Sequence, residues 1–462
     1  MEISRRLAEF VENLKFEDIP RHVVEVEKQS ILDNIGIISG GADGDGCREF
    51  VEYAEEASAG GRGEATVLGF NKKLPAIWAA FANASMVMAL DFSDTSATAT
   101  IHPNTSTFTV SLALAEKMGG VSGADFITAM VAGSEVACRL ARAAVSSRFS
   151  VYGFYMPPVF TSFGATAAAC KLLGLNADQI IDAWSLNLSQ YTCSSELTKN
   201  KETPIRSIRE AFGAKAAMSS ALLAAKGIKG YKDPFEGQQG FYTAYFRGDY
   251  DPEPVLKGLG EDYEAAKLIF KPWPCCMGNH GCINAALNIM KESGIRPEDI
   301  AEMQAEAPTV ARVVLEPAED KKRPKNAINA KYSMPFTVST AIIDGNVTLD
   351  SFKDENLTRP DVLALAEKFS HKLNDEWDRS LEMKTGGQLT IITKDGKSYT
   401  SKVSKTLGNP ENPMTDEAFE AKFCSCMSKA AFPKTRDEQL QIMAHVRALE
   451  ALTDMRSLAA ML

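Results

Sequence analysis

The segment Asp91-Phe92-Ser93-Asp94-Thr95, followed shortly by His102-Pro103, gathers carboxylates, hydroxyl groups and an imidazole within a dozen residues. Such a set is suited to proton transfer. A histidine near its ordinary pKa of ~6.5 can take or give a proton at neutral pH. Asp91 or Asp94 would orient the imidazole and stabilise its charged form, with Thr95 beside them. The chain has only five histidines, and this one stands in a connection between two strongly helical segments. Loops held on a rigid scaffold are where chemistry collects. The plainer reading is a polar connection with a capping aspartate and a histidine that satisfies a backbone group.

Three further segments could bind an anion or carry a proton. Lys271-Pro272-Trp273-Pro274-Cys275-Cys276-Met277-Gly278-Asn279-His280 holds a cation on a stiff, proline-fixed stretch at an expected domain junction. Ligand sites favour such junctions. Lys271 suits a carboxylate, with His280 at the start of the helix that follows. Arg209, in Arg206-Ser207-Ile208-Arg209-Glu210, precedes a helix of small residues. Its guanidinium can grip a carboxylate with two parallel hydrogen bonds, or simply pair with Glu210, which is worth little at a surface. Tyr155, in Gly153-Phe154-Tyr155-Met156-Pro157-Pro158, could present its hydroxyl to a cavity or merely pack. Phe235-Glu236-Gly237-Gln238-Gln239-Gly240-Phe241 has too few glycines for a phosphate loop and reads as a flexible surface turn. No Walker sequence, Rossmann fingerprint or nucleophile elbow occurs.

The elements that must position these groups are mostly helical. Apolar periodicity predicts helices over 4–14, from Pro20 to Gly36, over 75–90, from Thr105 to Met118 with Asn104 as cap, and over 124–144 with Ser122 as cap. More follow over 160–173, 177–188 and 211–226. Many carry Ala, Gly and Ser at close spacing, which lets helix backbones approach. After about Pro272 the pattern changes. Residues 300–305 alternate as a strand. Gln388–Thr393 and Ser398–Val403 read as a hairpin, with Asp395-Gly396 able to supply a type I′ turn. A helix over 360–369 lies between, and helices return over 416–429 and 436–449. The α+β block is therefore an insertion in a bundle made from both chain ends.

Composition narrows the function classes. At 462 residues, 45% hydrophobic and 24% charged, the chain is a globular protein of two or three domains. A formal charge of -10 and no dense basic run argue against nucleic acid. No apolar run is long enough to span a bilayer, and the first residues lack a signal-peptide core. These features point to the cytoplasm, or to an organelle if a presequence has been lost. The nine cysteines include an adjacent pair, Cys275-Cys276, and the C-x-C of Cys424 and Cys426, but no paired C-x-x-C. A reducing compartment and no structural metal are expected.

Taken together and in order, these segments resemble the MmgE/PrpD family of 2-methylcitrate dehydratase and cis-aconitate decarboxylase, which also includes an iminodisuccinate epimerase. The similarity runs through Asp18-Ile19-Pro20, Leu32-Asp33-Asn34-Ile35-Gly36, Thr66-Val67-Leu68-Gly69, Leu90-Asp91-Phe92-Ser93-Asp94-Thr95 and His102-Pro103. It continues through Phe163-Gly164-Ala165, Phe235-Glu236-Gly237, Lys271-Pro272-Trp273-Pro274-Cys275-Cys276 with His280, and Tyr332-Ser333-Met334-Pro335-Phe336. The resemblance implies a mainly α protein: a large all-helical domain from residues 1–267 and 406–462, plus a smaller α+β lid over 268–405. It also implies a homodimer, no cofactor, a small di- or tricarboxylate substrate, and a site between the domains. Asp91, Thr95, His102 and Lys271 fall where the family places active-site groups. Four positions depart from it. Met88 stands where a histidine is common, Tyr155 replaces the histidine of a Gly-Phe-His loop that is catalytic in the decarboxylases, Ile208 replaces a lysine, and Met277 a basic residue. The reading is a cofactor-independent dehydratase or decarboxylase acting next to a carboxylate. The alternatives are an epimerase or isomerase of a small dicarboxylate, with Tyr155 facing His102, or a non-catalytic carboxylate-binding relative.

Overall fold

The computed structural model describes residues 2–99, 101–144, 150–199, 203–380, 383 and 385–462. The chain divides into two compact units, Met1–Phe270 with Glu420–Leu462, and Lys271–Phe419. The sequence placed the breaks at 267/268 and 405/406.

The first unit is built from helices α1 (Ile3–Asn13), α2 (Arg21–Gly40), α3 (Cys47–Ala57), α4 (Ala76–Met86), α5 (Asn104–Met118), α6 (Gly123–Arg142), α7 (Pro157–Leu172), α8 (Ala177–Leu188) and α9 (Glu210–Ala225). Helices α4, α5 and α7 are buried almost all round, so their sequences show little amphipathic pattern. Small residues set their spacing. A Cβ on Gly133 of α6 would lie 2.9 Å from the Gly164 carbonyl oxygen, and one on Gly164 of α7 would lie 2.5 Å from that of Gly133. Two backbones therefore meet where only glycine leaves room. Caps are local: the Ser122 hydroxyl accepts from the Asp125 amide, and Asn176 forms a reciprocal capping box with Gln179. The expected surface turn at Glu236 is instead an anchor. Its carboxylate accepts the Ser4 amide at 3.0 Å and hydroxyl at 2.6 Å, closing the start of α1, and Phe235 beside it is fully buried.

The second unit holds helices α10 (Met277–Ser293), α11 (Met334–Asp344) and α12 (Pro360–Ala366) and a four-stranded sheet. The strands are β1 (Ile300–Pro308), β2 (Phe369–Asn374), β3 (Gly387–Thr393) and β4 (Ser398–Val403), in the order β4-β3-β1-β2. Only β1 and β2 are parallel. Leu389, Ile391 and Thr393 alternate inward along β3, and the first two join a core containing Ile283, Met303, Phe336 and Val338. Helix α12 ends three residues earlier than the periodicity predicts, and Phe369 starts a strand instead. The β3–β4 turn is not type I′, because only Gly396 has positive φ. Its amide bonds the Thr393 carbonyl, and the Thr393 amide bonds the Lys397 carbonyl, which is a type I turn closed by a left-handed glycine. Helices α13 (Asp416–Met427) and α14 (Arg436–Arg447) then carry the chain back into the first unit. There the Gly123 amide bonds the Leu452 carbonyl and the Met455 amide bonds the Val121 carbonyl.

Candidate active site

The loop after α4 is shaped by a left-handed aspartate. Asp91 has φ of +51°, a conformation that Asp tolerates better than most side chains. Its amide bonds the Met88 carbonyl and the Ser93 hydroxyl donates to the Val87 carbonyl, so the chain turns sharply out of the helix. Thr95-Ser96 then pairs antiparallel with Leu268-Ile269. His102 follows, directly before α5, and is half-buried.

The imidazole is fixed by the backbone. His102 Nδ1 lies 2.7 Å from the Asp94 carbonyl oxygen and 3.2 Å from the Thr95 hydroxyl. A carbonyl can only accept, so Nδ1 carries the proton and the lone pair of the neutral ring sits on Nε2. This corrects the expected role of the Asp94 carboxylate, which turns inward and is fully buried. Asp94 Oδ2 accepts the Ser30 hydroxyl at 2.5 Å and faces the Asn104 amide nitrogen at 3.4 Å. Asn104 is no helix cap either. It is the first residue of α5, and its side chain donates to Glu27 Oε2 at 3.1 Å and to Ser30 Oγ at 2.8 Å. Ser134 on α6 completes the set, 2.8 Å from Glu27 Oε1 and 2.7 Å from Asn104 Oδ1. Burial pushes the Glu27 carboxyl up to about 8 and the Asp94 carboxyl up to about 7.

A chain of contacts leads from His102 to two other expected residues. The Thr105 hydroxyl donates to the His102 carbonyl at 2.8 Å and lies 3.4 Å from Glu210 Oε2. That oxygen also accepts from Ser106 at 3.0 Å and Thr161 at 2.9 Å. Glu210 Oε1 stands 3.5 Å from Arg209 Nε, and the Arg209 guanidinium lies over the Tyr155 ring, 5.6 Å from its centre. Arg209 and Tyr155 are both buried, and Tyr191 donates its hydroxyl to the Arg209 carbonyl. Tyr155 ends a tight hairpin whose two turn residues, Tyr152 and Gly153, both have positive φ. The type I′ turn that the sequence pointed to at Gly396 is found here instead. Arg209 also lines a cavity of about 550 Å³ with Tyr191, Cys193, Leu197, Ile205 and Phe212.

The second unit holds Lys271 and His280. Lys271 is 1% exposed, so it is not the solvated junction lysine that the sequence allowed. His280 is fully enclosed, with Nε2 3.3 Å from the Cys275 carbonyl and its ring against Trp273 at 5.2 Å. In that arrangement the His280 ring packs within its own proline-rich turn. All nine cysteines are free thiols, and no group of three or more His, Cys, Asp or Glu among the described residues could hold a metal ion.

Sequence reading missed Glu27, Ser30, Ser134, Glu210 as a hydroxyl-bound carboxylate, and Lys422. One signal was available. Glu27, Ser30 and Asn34 recur at intervals of three and four residues among the apolar positions of α2 that face the interior, which marks a buried polar stripe.

Comparison with known proteins gives a consistent outcome. Residues 5–253 match the MmgE/PrpD N-terminal domain and residues 273–448 the MmgE/PrpD C-terminal domain. Cis-aconitate decarboxylase of Aspergillus terreus is 26% identical over 479 residues, covering 100% of this chain and 96% of its own. Cis-aconitate decarboxylase of Homo sapiens is 26% identical over 459 residues, covering 97% and 92%. The 2-methylcitrate dehydratase of Salmonella typhi is 23% identical over 362 residues, covering 72% and 71%.

Proposed function

The chain belongs to the MmgE/PrpD family, and we propose that it is a cofactor-independent lyase acting on a small di- or tricarboxylic acid. The observation that carries this reading is the 2.7 Å contact between His102 Nδ1 and the Asp94 carbonyl oxygen. With Nδ1–H donated to the Asp94 carbonyl, Nε2 is the basic atom of the neutral ring. In a dehydration, Nε2 takes the proton from the carbon next to a carboxylate, the electron pair forms an enediolate, and the β-hydroxyl leaves as water on protonation. In a decarboxylation, CO2 leaves first and the protonated imidazole returns a proton to the carbanion. Both routes develop negative charge on a carboxylate, which cations held in place stabilise. Arg209 and Lys271 are proposed for that task, with Thr95 beside the imidazole. Asp91 is proposed to shape the loop through its left-handed backbone. Tyr155 is proposed to back the Arg209 guanidinium rather than to face His102, so no observation favours the epimerase reading. A homodimer is proposed from the resemblance alone, and the cytoplasmic location expected from the sequence is kept as a proposal. No helix among the described residues is long and apolar enough to cross a membrane.

The test begins with a thermal-shift screen of di- and tricarboxylates, followed by mass spectrometry of the hits incubated with protein. Loss of water or CO2 from a hit is expected. His102→Asn should lower that turnover by roughly 10²–10⁴-fold while the protein stays folded. Turnover within a few-fold of wild type would remove His102 from acid–base chemistry. Deuterium incorporation from D2O without loss of water or CO2 would move the reaction to epimerisation.

A further inference from the structure

Helix α13 reaches the His102 loop from more than three hundred residues away in sequence. Lys422 Nζ donates to the Phe92 carbonyl at 3.0 Å, pairs with Asp33 Oδ1 at 2.7 Å, and stands 4.2 Å from the centre of the Phe92 ring. Both charged side chains are almost fully buried. The neighbouring carboxyl groups, Asp94 and Glu27, are buried as well. A single ammonium thus touches the carbonyl, the ring and the facing carboxylate around one residue of the loop. That residue is two positions before Asp94, whose carbonyl receives the His102 Nδ1 proton.

We infer that Lys422 is a positioning residue: by gripping the Phe92 carbonyl it holds the Asp91–Asp94 turn so that the Asp94 carbonyl selects the Nδ1–H form of His102. The geometry explains the use of a lysine. A buried ion pair between Lys422 and Asp33 is a weak source of stability, because desolvating both charges offsets much of their attraction. Its value lies in specificity. The ammonium has three donors and directs them to the backbone of the loop as well as to Asp33. With the hold on Phe92 lost, the left-handed Asp91 could relax and the Asp94 carbonyl would leave the imidazole. His102 would then return to the Nε2–H form that free imidazole side chains prefer, and the basic atom would no longer be the one proposed for catalysis.

The experiment separates positioning from plain stability. Lys422→Met alone strands the Asp33 carboxylate in the interior and should lower Tm. The double variant Lys422→Met/Asp33→Asn removes both charges and should restore most of that Tm, while the hold on Phe92 stays absent. Histidine side chains labelled with 15N are then observed at mildly alkaline pH, where imidazoles are neutral, with His102→Asn identifying the His102 signal. Wild type is expected to show the Nδ1–H tautomer, and the folded double variant the Nε2–H tautomer. A double variant that keeps the Nδ1–H tautomer overturns the inference. This readout needs no substrate, so it stands apart from the lyase reading on which the kinetic readout rests. With a substrate from the screen, kcat of the double variant should fall by about 10²-fold, the scale of a small misplacement of a reacting group, with KM little changed. Recovery of wild-type kcat together with Tm would assign Lys422 a structural role only.

Discussion

The buried network beneath His102 makes a prediction that can be worked through in numbers. Ser134 Oγ lies within hydrogen-bond reach of two acceptor atoms, Glu27 Oε1 and Asn104 Oδ1. A hydroxyl has one proton to give. Asn104 Oδ1 is correctly placed, because its amide nitrogen faces three acceptors on the other side. Both contacts are satisfied only when Glu27 is protonated and donates to Ser134, which then donates to Asn104. Burial, the largest cause, pushes Glu27 in the same direction, from 4.5 up to about 8, with Asp94 adding to the rise. A raised folded-state pKa gives stability that is complete below the unfolded value and is lost as pH rises through the folded one. Between those values the unfolded chain binds fewer protons, so the slope of unfolding free energy with pH is negative. Each pH unit from 4.5 to about 8 removes about 1.4 kcal/mol, or about 5 kcal/mol across the window. Glu27→Gln imitates the protonated side chain, its amide donating to Ser134 and its oxygen accepting from Asn104. The variant should match wild type near pH 4.5 and exceed it increasingly up to about pH 8, then hold constant. At about 2 °C per kcal/mol or less for a chain of this length, the gap in Tm should widen by roughly 5–10 °C. Paired thermal melts across pH measure it, and titrations of groups not coupled to Glu27 cancel in the difference, Asp94 being the coupled one. A gap that does not change with pH would show that Glu27 is ionised in the folded protein and that the one-proton argument is wrong.

Other perturbations have defined outcomes. Arg209→Lys keeps a positive charge by Glu210 but loses the planar group over Tyr155 and its paired donors. KM for the substrate should rise by the equivalent of about 1.5–3 kcal/mol, and an unchanged KM in steady-state kinetics would leave the guanidinium a packing role only. Lys271→Met should weaken substrate binding over the same range of about 1.5–3 kcal/mol, read by calorimetric titration. Normal affinity in the folded variant would move the carboxylate site elsewhere. Gly133→Ala puts a methyl group 2.5 Å from Thr107 Cγ2 and 2.9 Å from a backbone oxygen that cannot yield. Chemical unfolding should show a loss of about 1–3 kcal/mol, and a neutral result would mean that α6 and α7 can separate without penalty.

What the sequence made legible divides along a physical line. Helix positions were readable because apolar spacing and capping residues act locally: Ala177–Leu188 has the predicted limits, and Ser122 caps its helix. The strand at Phe369 was not, because its apolar residues follow a helix without a breaker and only pairing with β1 decides their state. Asp395-Gly396 and Tyr152-Gly153 show the same limit in turns. The first pair has the favoured composition for type I′, yet the second adopts it, because the register of the flanking strands sets the loop length.

At the candidate site the limit is sharper, because composition names the groups but not the atoms that meet. His102 and Asp94 were legible as neighbours, and the expectation paired imidazole with carboxylate. Their geometry pairs imidazole with carbonyl and sends the carboxylate to Ser30 and Asn104. Asn104 shows why. Immediately before an apolar run it reads as a cap, but Pro103 already precedes the helix, and the amide is aimed at Asp94 in the preceding loop and at Glu27 and Ser30, more than seventy residues away. An amide has donors and an acceptor on one planar group, so it can bind two carboxyl groups and one hydroxyl at once. A cap would use only its oxygen. The same long reach hides Lys422, which on its own helix is one charged residue among many. Its meaning comes from Asp33 and Phe92, neither of which lies on that helix. The carbonyl that fixes the imidazole belongs to Asp94, and the carboxylate of that same residue meets Ser30 and Asn104, contacts that no local pattern in the sequence announces.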